Sequence, residues 1–466
     1  MWGSWQLLHI CPGAIISCGH RSVNEAWLPL LLVVECDCRH VGCCERSRLV
    51  DERQVIRVLR GKHIILGVTG GIAAYKAVTV ASRLTQSGAV VDVLMTAAAQ
   101  RFVTPLTFSA LTGRPVRTDL WSLGNGQIMH VAMARDADLF LVAPVTANTI
   151  AKLALGLADD PISATALASQ APLLLAPAME TGMWESPATQ SHIQTLIDRG
   201  AFVVGPMAGR LASGAVGLGR MAEPPQIIEM ARKVLGRNGT LAGVHVVITA
   251  GGTQEPLDPV RFLTNRSSGK MGMALAASAR DFGARVTVVH SPLQVPVPFG
   301  VESIPVRTAV EMRDATFDVL ADTDVLIGAA AVADFMPSEV ATQKIKKKHG
   351  SLPIELVRNP DILGEVGAQR KASGFPKVMV GFAAETEDLL ANAKAKLESK
   401  KLDLILVNDV SAPHSGFGTD TNQVTLLDRW GDVRPWPLLT KDEVADRLMV
   451  WVARKVLGKG LADLGD

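Results

Sequence analysis

Residues able to do chemistry gather in a few short stretches of this chain. "GVTGGIAAYK" (67–76) passes from an apolar run through glycines into a helical pattern, an order that turns backbone N–H groups toward a phosphate. It is not G-x-G-x-x-G, and the following run, "VVDVLMT", ends without an acidic residue to grip a ribose, so a mononucleotide suits it better than a dinucleotide. "MHVAMARDADLFLVAPVTANTIAKLALGLADD" (129–160) puts His130 at the start of a helix leading into a strand, then ends that strand with Pro144, Thr146, Asn148 and Thr149. Small polar groups at a strand's end suit the hydrogen-bonding edge of a flavin ring; taken alone, His130 also reads as a capping or half-buried histidine. "APAMETGMW" (176–184) brings Glu180 to the same edge. "GRLASGAVGLGR" (209–220) follows, with four glycines and two arginines in twelve residues, a composition that predicts a loop closing over the site.

A second set lies further on. "VITAGGTQEPLDPVRFLTNRSSGKMG" (247–272) is not a phosphate loop of the G-x-x-x-x-G-K-[ST] type, because Thr264 and Met271 stand where a glycine and a hydroxyl are needed. It does open a helix with Ser267 or Ser268 as N-cap, so an anion fits at that helix start, with Arg261 and Asn265 just before it. "GAAAVADF" (328–335), "RNPDI" (358–362) and "VGFAAET" (380–386) each follow or flank an apolar run and converge on one sheet edge. "KIKKKHG" (344–350) packs four lysines into five residues; such a run is ordinarily a solvated face, but a nucleoside triphosphate carries the charge to use it.

These stretches need sheets to hold them. "HIILGV" (63–68), "VVDVLM" (90–95), "LFLVAP" (139–144), "LLLAPA" (173–178) and "FVVGP" (202–206) read as buried parallel strands, with helices such as 71–87 and 146–158 between them. The pattern restarts with "HVVITA" (245–250), "RVTVVH" (285–290), "VLIGAA" (325–330), "VMVGFAA" (378–384) and "LDLILVND" (402–409). The fold class is therefore α/β, two doubly wound, Rossmann-like domains, each holding its ligand beyond the strand C-termini. Residues 223–243 give a Pro-started helix and a Gly/Asn-rich break, which places the boundary near 241.

Composition narrows the partners. With 47 Lys and Arg against 45 Asp and Glu in 466 residues, the net charge of +2 offers no field for nucleic acid or anionic lipid. Apolar runs such as 26–34 are too short to cross a membrane. All six cysteines (Cys11, Cys18, Cys36, Cys38, Cys43 and Cys44) precede residue 45, without zinc-site spacing or a secretory start. Residues 1–60 are read as an unassigned extension produced by a start set too far upstream, with the folded protein beginning near Val55. The cysteine-free remainder points to the cytoplasm.

From residue 62 onward the chain resembles the bifunctional coenzyme A biosynthesis family, phosphopantothenoylcysteine decarboxylase fused to phosphopantothenate–cysteine ligase. "VTGGIAAYK", "VAPVTANTIAKLALGLADD", "PAMETGMW" and "GRLASGAVGLGRMAEP" carry the likeness to its flavin domain, in order and spacing. The resemblance implies a flavodoxin-like domain over 61–241 and a nucleotide-binding ligase domain over 242–466. In that family flavin mononucleotide (FMN) takes electrons from the cysteinyl thiol, the thioaldehyde loses CO₂, and hydride returns while a protein acid supplies the proton. His130 takes the catalytic histidine's place, and Gly70, Gly71, Ile72, Thr104, Pro144, Thr146, Asn148, Thr149 and Met179 fall at the cofactor. The glycine-rich loop resembles a substrate lid, Gly214, Gly217 and Gly219 permitting the bend and Arg210 or Arg220 meeting a phosphate of the pantetheine arm.

Two positions depart from the family: Glu180 replaces an Asn, and Ser213 replaces the Cys that donates the final proton. A hydroxyl is too weak an acid to copy a thiol. The expectation is that Glu180, desolvated under the loop, serves as the acid; the competing reading keeps only the ligase, over an inert flavin-binding half. The ligase half implies CTP with Mg²⁺, 4′-phosphopantothenate and L-cysteine, through an acyl-cytidylate. By resemblance Asn265 acts on the intermediate and Lys344 on its formation. Gly328, Ala329, Ala330, Asp334, Pro360, Asp361, Ile362, Leu363 and Phe382 shape the CTP pocket, Lys396 and Lys400 reach its phosphates, and Arg261 joins Asn265 at the substrate. Asp334 suits either metal binding or base catalysis, so the metal ligands stay open. Trimeric flavin domains and dimeric ligase domains follow from the same likeness. A non-catalytic flavin-binding partner protein is disfavoured by the near-complete second site, and a nicotinamide dehydrogenase by the missing ribose ligand.

Overall fold

β-branched and aliphatic side chains on both faces make His63–Val68 a buried strand, β1, covered from both sides. The computed structural model describes residues 58–121, 123–124, 127–346, 352–385, 388–409, 418–456 and 458. The cysteine-bearing segment and Lys347 and Lys348 thus lie outside the described residues.

Around β1 stand β2 (Val90–Met95), β3 (Leu139–Val145), β4 (Leu173–Pro177) and β5 (Phe202–Val203). They pair in parallel in the order β2-β1-β3-β4-β5. Alternation along β1 separates two cores. Ile64, Leu66 and Val68 pack with Ala77, Val80 and Leu84 of α1 (Ala74–Gln86), while Ile65 joins Phe140, Val142 and Ile150 on the opposite face. Helices α2 (Met129–Asp136) and α3 (Ala147–Leu155) flank β3 in sequence. Each fully buried Leu or Ile contributes roughly 1.5–3 kcal/mol, so both helical layers are held by burial.

The glycine-rich segment corrects the expectation of a loop. It is a hairpin, β6 (Met207–Arg210) paired antiparallel with β7 (Val216–Arg220). The reason is steric rather than flexible: a Cβ on Gly217 would sit 2.4 Å from Thr181 Oγ1, so glycine lets the hairpin lie on the turn beyond β4. Gly214, at φ +93°, makes the reversal.

The second sheet contains β8 (His245–Ala250), β9 (Arg285–His290), β10 (Glu302–Pro305), β11 (Val325–Gly328), β12 (Val378–Glu385), β13 (Leu404–Asp409), β14 (Val424–Asp428) and β15 (Val433–Pro435). Its order is β10-β9-β8-β11-β12-β13-β14-β15. The five expected parallel strands are present. Three more extend the sheet: β10 on one edge, largely exposed, and β14 and β15 antiparallel on the other.

Helices α4 (Pro224–Gly236), α5 (Lys270–Asp281), α6 (Ile362–Ser373), α7 (Leu389–Ser399) and α8 (Lys441–Trp451) complete the frame. α5 and α8 share one core with Val246, Ile248 and Ile327, and α6 and α7 share the other with Val247 and Leu326. α4 packs on α5 so closely that a Cβ on Gly236 would lie 2.0 Å from the Asp281 carbonyl oxygen. Arg232 Nε donates to Asp281 Oδ2 at 2.6 Å, and Arg280, 2% exposed, donates to Asp281 Oδ1 and to the Phe299 carbonyl. Nearby, burial pushes the Asp446 carboxyl up to about 6, although Ser278 Oγ donates to it at 2.7 Å. Among the described residues no helix is long and apolar enough to cross a membrane.

Candidate functional site

Each sheet reverses its winding beside its first strand, and a crevice opens there. In the first sheet this point lies between β1 and β3. Thr69 stitches the two strand ends together: its Oγ1 donates to the Pro144 carbonyl at 2.8 Å and accepts from Thr146 N–H at 3.1 Å. A Cβ on Gly70 would meet Ala98 Cβ at 2.4 Å, so only glycine allows the turn to pass the next loop. Gly71 and Ile72, the latter 61% exposed, carry the chain into α1. Thr146 caps α3, its Oγ1 accepting from Thr149 N–H, and Asn148 is exposed beside it. Thr104, exposed, stands just before the helix Pro105–Thr112, its Oγ1 3.3 Å from Thr107 Oγ1.

The turn after β4 reaches the same crevice. Met179 N–H donates to the Gly219 carbonyl at 3.0 Å, which clamps that turn to the hairpin. Ser213 Oγ, on the hairpin's reversal, donates to Glu180 Oε1 at 3.1 Å. The two residues that depart from the family pattern are thus each other's partners. Glu180 is exposed, which corrects the expectation of a carboxyl desolvated beneath the loop: in this single chain the hairpin lies beside it, not over it. His130 is half-buried and its Nδ1 is buried with no hydrogen-bond partner among the described residues. Arg210 is exposed on the hairpin. Arg220 donates to Glu223 at 2.9 Å; Lys76 first, then Arg220, holds that carboxyl below the usual range.

The second crevice, between β8 and β11, opens into a cleft of about 960 Å³. Its walls include Gly328, Ala329, Ala330, Asp334, Pro360, Asp361, Ile362, Leu363, Phe382, Lys396 and Lys400, every expected CTP contact except Lys344. Six basic side chains (Arg266, Lys270, Arg358, Lys396, Lys400, Lys441) face two carboxylates, Asp334 and Asp361, which suits a polyanion. Asp361 caps α6 through Gly364 N–H and pairs with Lys400 at 2.7 Å. Asn265 is in the wall, its Nδ2 donating to the Val332 carbonyl at 2.9 Å, so it ties the loop before α5 to the one after β11. Among the described residues no three potential ligands cluster for a metal.

Arg261 and Lys344 do not line the cleft. Arg261 donates to Asp258 Oδ2 and to the Ile345 carbonyl, while Ile345 N–H donates to the same carboxylate. Burial opposes the charge on Asp258, but Arg261 and three backbone N–H groups overcome it and hold the carboxyl well below its usual range. Arg261 therefore anchors the exposed segment bearing Lys344. The helix cap also differs from expectation: Gly269, at φ +76°, is the N-cap of α5, with Ser268 one and Ser267 two residues earlier.

Sequence reasoning missed Arg266, Lys270, Arg358, Asn359, Asn408, Asn422 and Lys441 in this wall. Arg358 and Asn359 sit inside the quoted "RNPDI", and Lys270 closes "SSGK", so a signal existed for them. Lys441 gave none.

Residues 52–236 match the flavoprotein family, and residues 241–456 match the family described as DNA/pantothenate metabolism flavoprotein C-terminal domain. The coenzyme A biosynthesis bifunctional protein CoaBC of Bacillus subtilis is 45% identical over 85% of this chain and 98% of its own length. Its counterpart from Escherichia coli K12 is 42% identical over 84% of this chain and 96% of its own. A crystal structure of the C-terminal domain of a CoaBC protein is 36% identical, covering 47% of this chain and 100% of that one, with a TM-score of 0.40.

Proposed function

This chain belongs to the coenzyme A biosynthesis bifunctional family, and from that premise we propose how its two crevices divide the work. The enzyme joins cysteine to 4′-phosphopantothenate and then decarboxylates the phosphopantothenoylcysteine to 4′-phosphopantetheine. The observation that carries the reading is the contrast in lining: glycines and hydroxyls at the first switch point, six basic side chains at the second.

In the second cleft the acid's carboxylate attacks the α-phosphorus of CTP and pyrophosphate leaves; cysteine's amine then attacks the acyl carbon, and CMP leaves as the C–N bond forms. Two anions meet in the first step, so fixed cations supply most of its rate. Lys396 and Lys400 hold the triphosphate, and Lys344 joins it from the segment that Arg261 anchors. Asn265, fixed by Val332, faces the acyl intermediate. Asp334, in the cleft wall, would be a carboxylate partner for a Mg²⁺ ion bound with the triphosphate, which would neutralise its charge.

The first crevice suits FMN: Gly70, Gly71 and Ile72 at the start of α1 for the phosphate, and Thr104, Pro144, Thr146, Asn148, Thr149 and Met179 for the ring. His130 Nδ1, buried and unpartnered, fits a site completed by a ligand. When bound, FMN supplies the two-electron chemistry. His130 takes the substrate's proton; Glu180, accepting from Ser213 at 3.1 Å and open to solvent, passes the last one in from water. The hairpin borders the site and carries Arg210 toward the phosphate arm. Tyr75, Leu106 and Trp121, 61%, 75% and 86% exposed, are covered by further copies in a homo-oligomer of trimeric flavin halves and dimeric ligase halves. The working place is the cytoplasm.

Purified protein is expected to be yellow. Given phosphopantothenate, cysteine and CTP, it yields 4′-phosphopantetheine by mass; accumulated phosphopantothenoylcysteine would limit it to the ligase, and a colourless protein indifferent to CTP would end the reading.

A further inference from the structure

The ligase brings together two anionic substrates, and their reacting atoms must approach to about 3–3.5 Å. Their charged tails repel and must be seated apart. The second sheet supplies two seats on opposite faces. α7, which bears Lys396 and ends just before Lys400, packs on one face, whereas α5 and α8, which begin with Lys270 and Lys441, pack together on the other. All four lysines line the one cleft, and Gly328 to Ala330 lie in its wall at the end of β11.

On the α5–α8 side both ammonium groups reach the same short turn. Lys270 Nζ donates to the Gly418 carbonyl at 3.1 Å and to Asp420 Oδ1 at 2.6 Å, and Lys441 Nζ donates to the Thr419 carbonyl. Lys441 is only 8% exposed, so its cation is held out of water beside a second cation. Burial, and then the charge of Lys270, pushes the Lys441 ammonium below its usual range. The counter-charge at hand is Asp420, whose side chain is 86% exposed. Exposed pairs of that kind hold weakly, so a phosphate dianion readily displaces Asp420 from Lys270.

We propose that Lys441, with Lys270, seats the phosphate of the acid substrate, across the sheet edge from the lysines that take the triphosphate. This rests on the ligase reading above. Asp420 is a placeholder that leaves when the phosphomonoester enters.

The test measures pyrophosphate release by the full chain with 4′-phosphopantothenate and, separately, with unphosphorylated pantothenate. Lys441→Met is expected to raise KM for the phosphorylated acid about 10- to 100-fold, the loss of a charged hydrogen bond, a rise well beyond that in KM for CTP, and to lower kcat/KM far more for the phosphorylated acid than for pantothenate. Lys441→Arg restores part of the affinity. Asp420→Asn, at an exposed position that does not endanger folding, lowers KM for the phosphorylated acid about two- to fivefold. Equal losses with both acids, a rise confined to CTP, or an Asp420→Asn protein with unchanged KM would overturn the proposal. Wild-type protein that releases no pyrophosphate with either acid would instead refute the ligase reading itself.

Discussion

In the first sheet the crevice between β1 and β3 is bordered by Thr69, whose hydroxyl bridges Pro144 and Thr146. In the second, the matching crevice between β8 and β11 is walled by Asn265 and six basic side chains. The winding is the same, and so is the position of the opening. Topology decides where a ligand lies; the residues beyond the strand ends decide what it is. Hydroxyls and glycines suit a flat ring and one phosphate, whereas a dense set of cations suits a polyanion at the moment it divides.

The sharpest way to break this comparison is His130→Asn. Decarboxylation is expected to fall about 10²- to 10⁴-fold, the range of a lost acid–base group, with pyrophosphate release unchanged; a parallel fall in both reactions would mean the crevices are not independent. Glu180→Gln comes next. It keeps the shape and a hydrogen bond to Ser213 but cannot supply a proton, so decarboxylation of added phosphopantothenoylcysteine is expected to drop about 10- to 100-fold. Full activity in that variant would rule out the Glu180–Ser213 pair.

Asp446→Asn tests the frame behind the basic cleft. The Asp446 carboxyl titrates at about 6 in the fold. It therefore keeps its proton in the folded chain at pH values where the unfolded chain has released it, and it lowers stability as pH rises from about 4 to about 6. Removing it is expected to add about 1–3 kcal/mol to stability above pH 7 and nothing below pH 4, read as melting temperature against pH. A uniform change across that range would contradict the burial effect. The smallest effect is that of salt. Raising ionic strength from about 0.05 to about 0.5 M is expected to raise KM for CTP several-fold and to leave flavin retention nearly unchanged, because screening weakens a rim of cations more than a pocket of hydroxyls.

The central strands of both sheets were legible because buried parallel strands are apolar on both faces, as "HIILGV" and "HVVITA" are. The edge strand Glu302–Pro305, largely exposed, has no such run to betray it. The hairpin at 207–220 was hidden for the opposite reason: glycine reads as freedom, yet at Gly217 and Gly219 it marks contact, with Thr181 Oγ1 and the Met179 carbonyl 2.4 and 2.1 Å from where a Cβ would be. The site followed the same division. Residues inside motifs, such as Asp361 and Phe382, fell in the cleft wall. Lys441 meets Lys270 only through the packing of α8 on α5, a relation no local pattern carries.

The contact between α4 and α5 bears on how the fusion works. Gly236 rests against the Asp281 backbone, and Arg232 and Arg280 both grip that residue's carboxylate. A protease cut anywhere in 237–243 would thus sever a string that is not what holds the pieces together. The two halves are joined by a packed wall, α4 against α5, and not by the connecting segment alone.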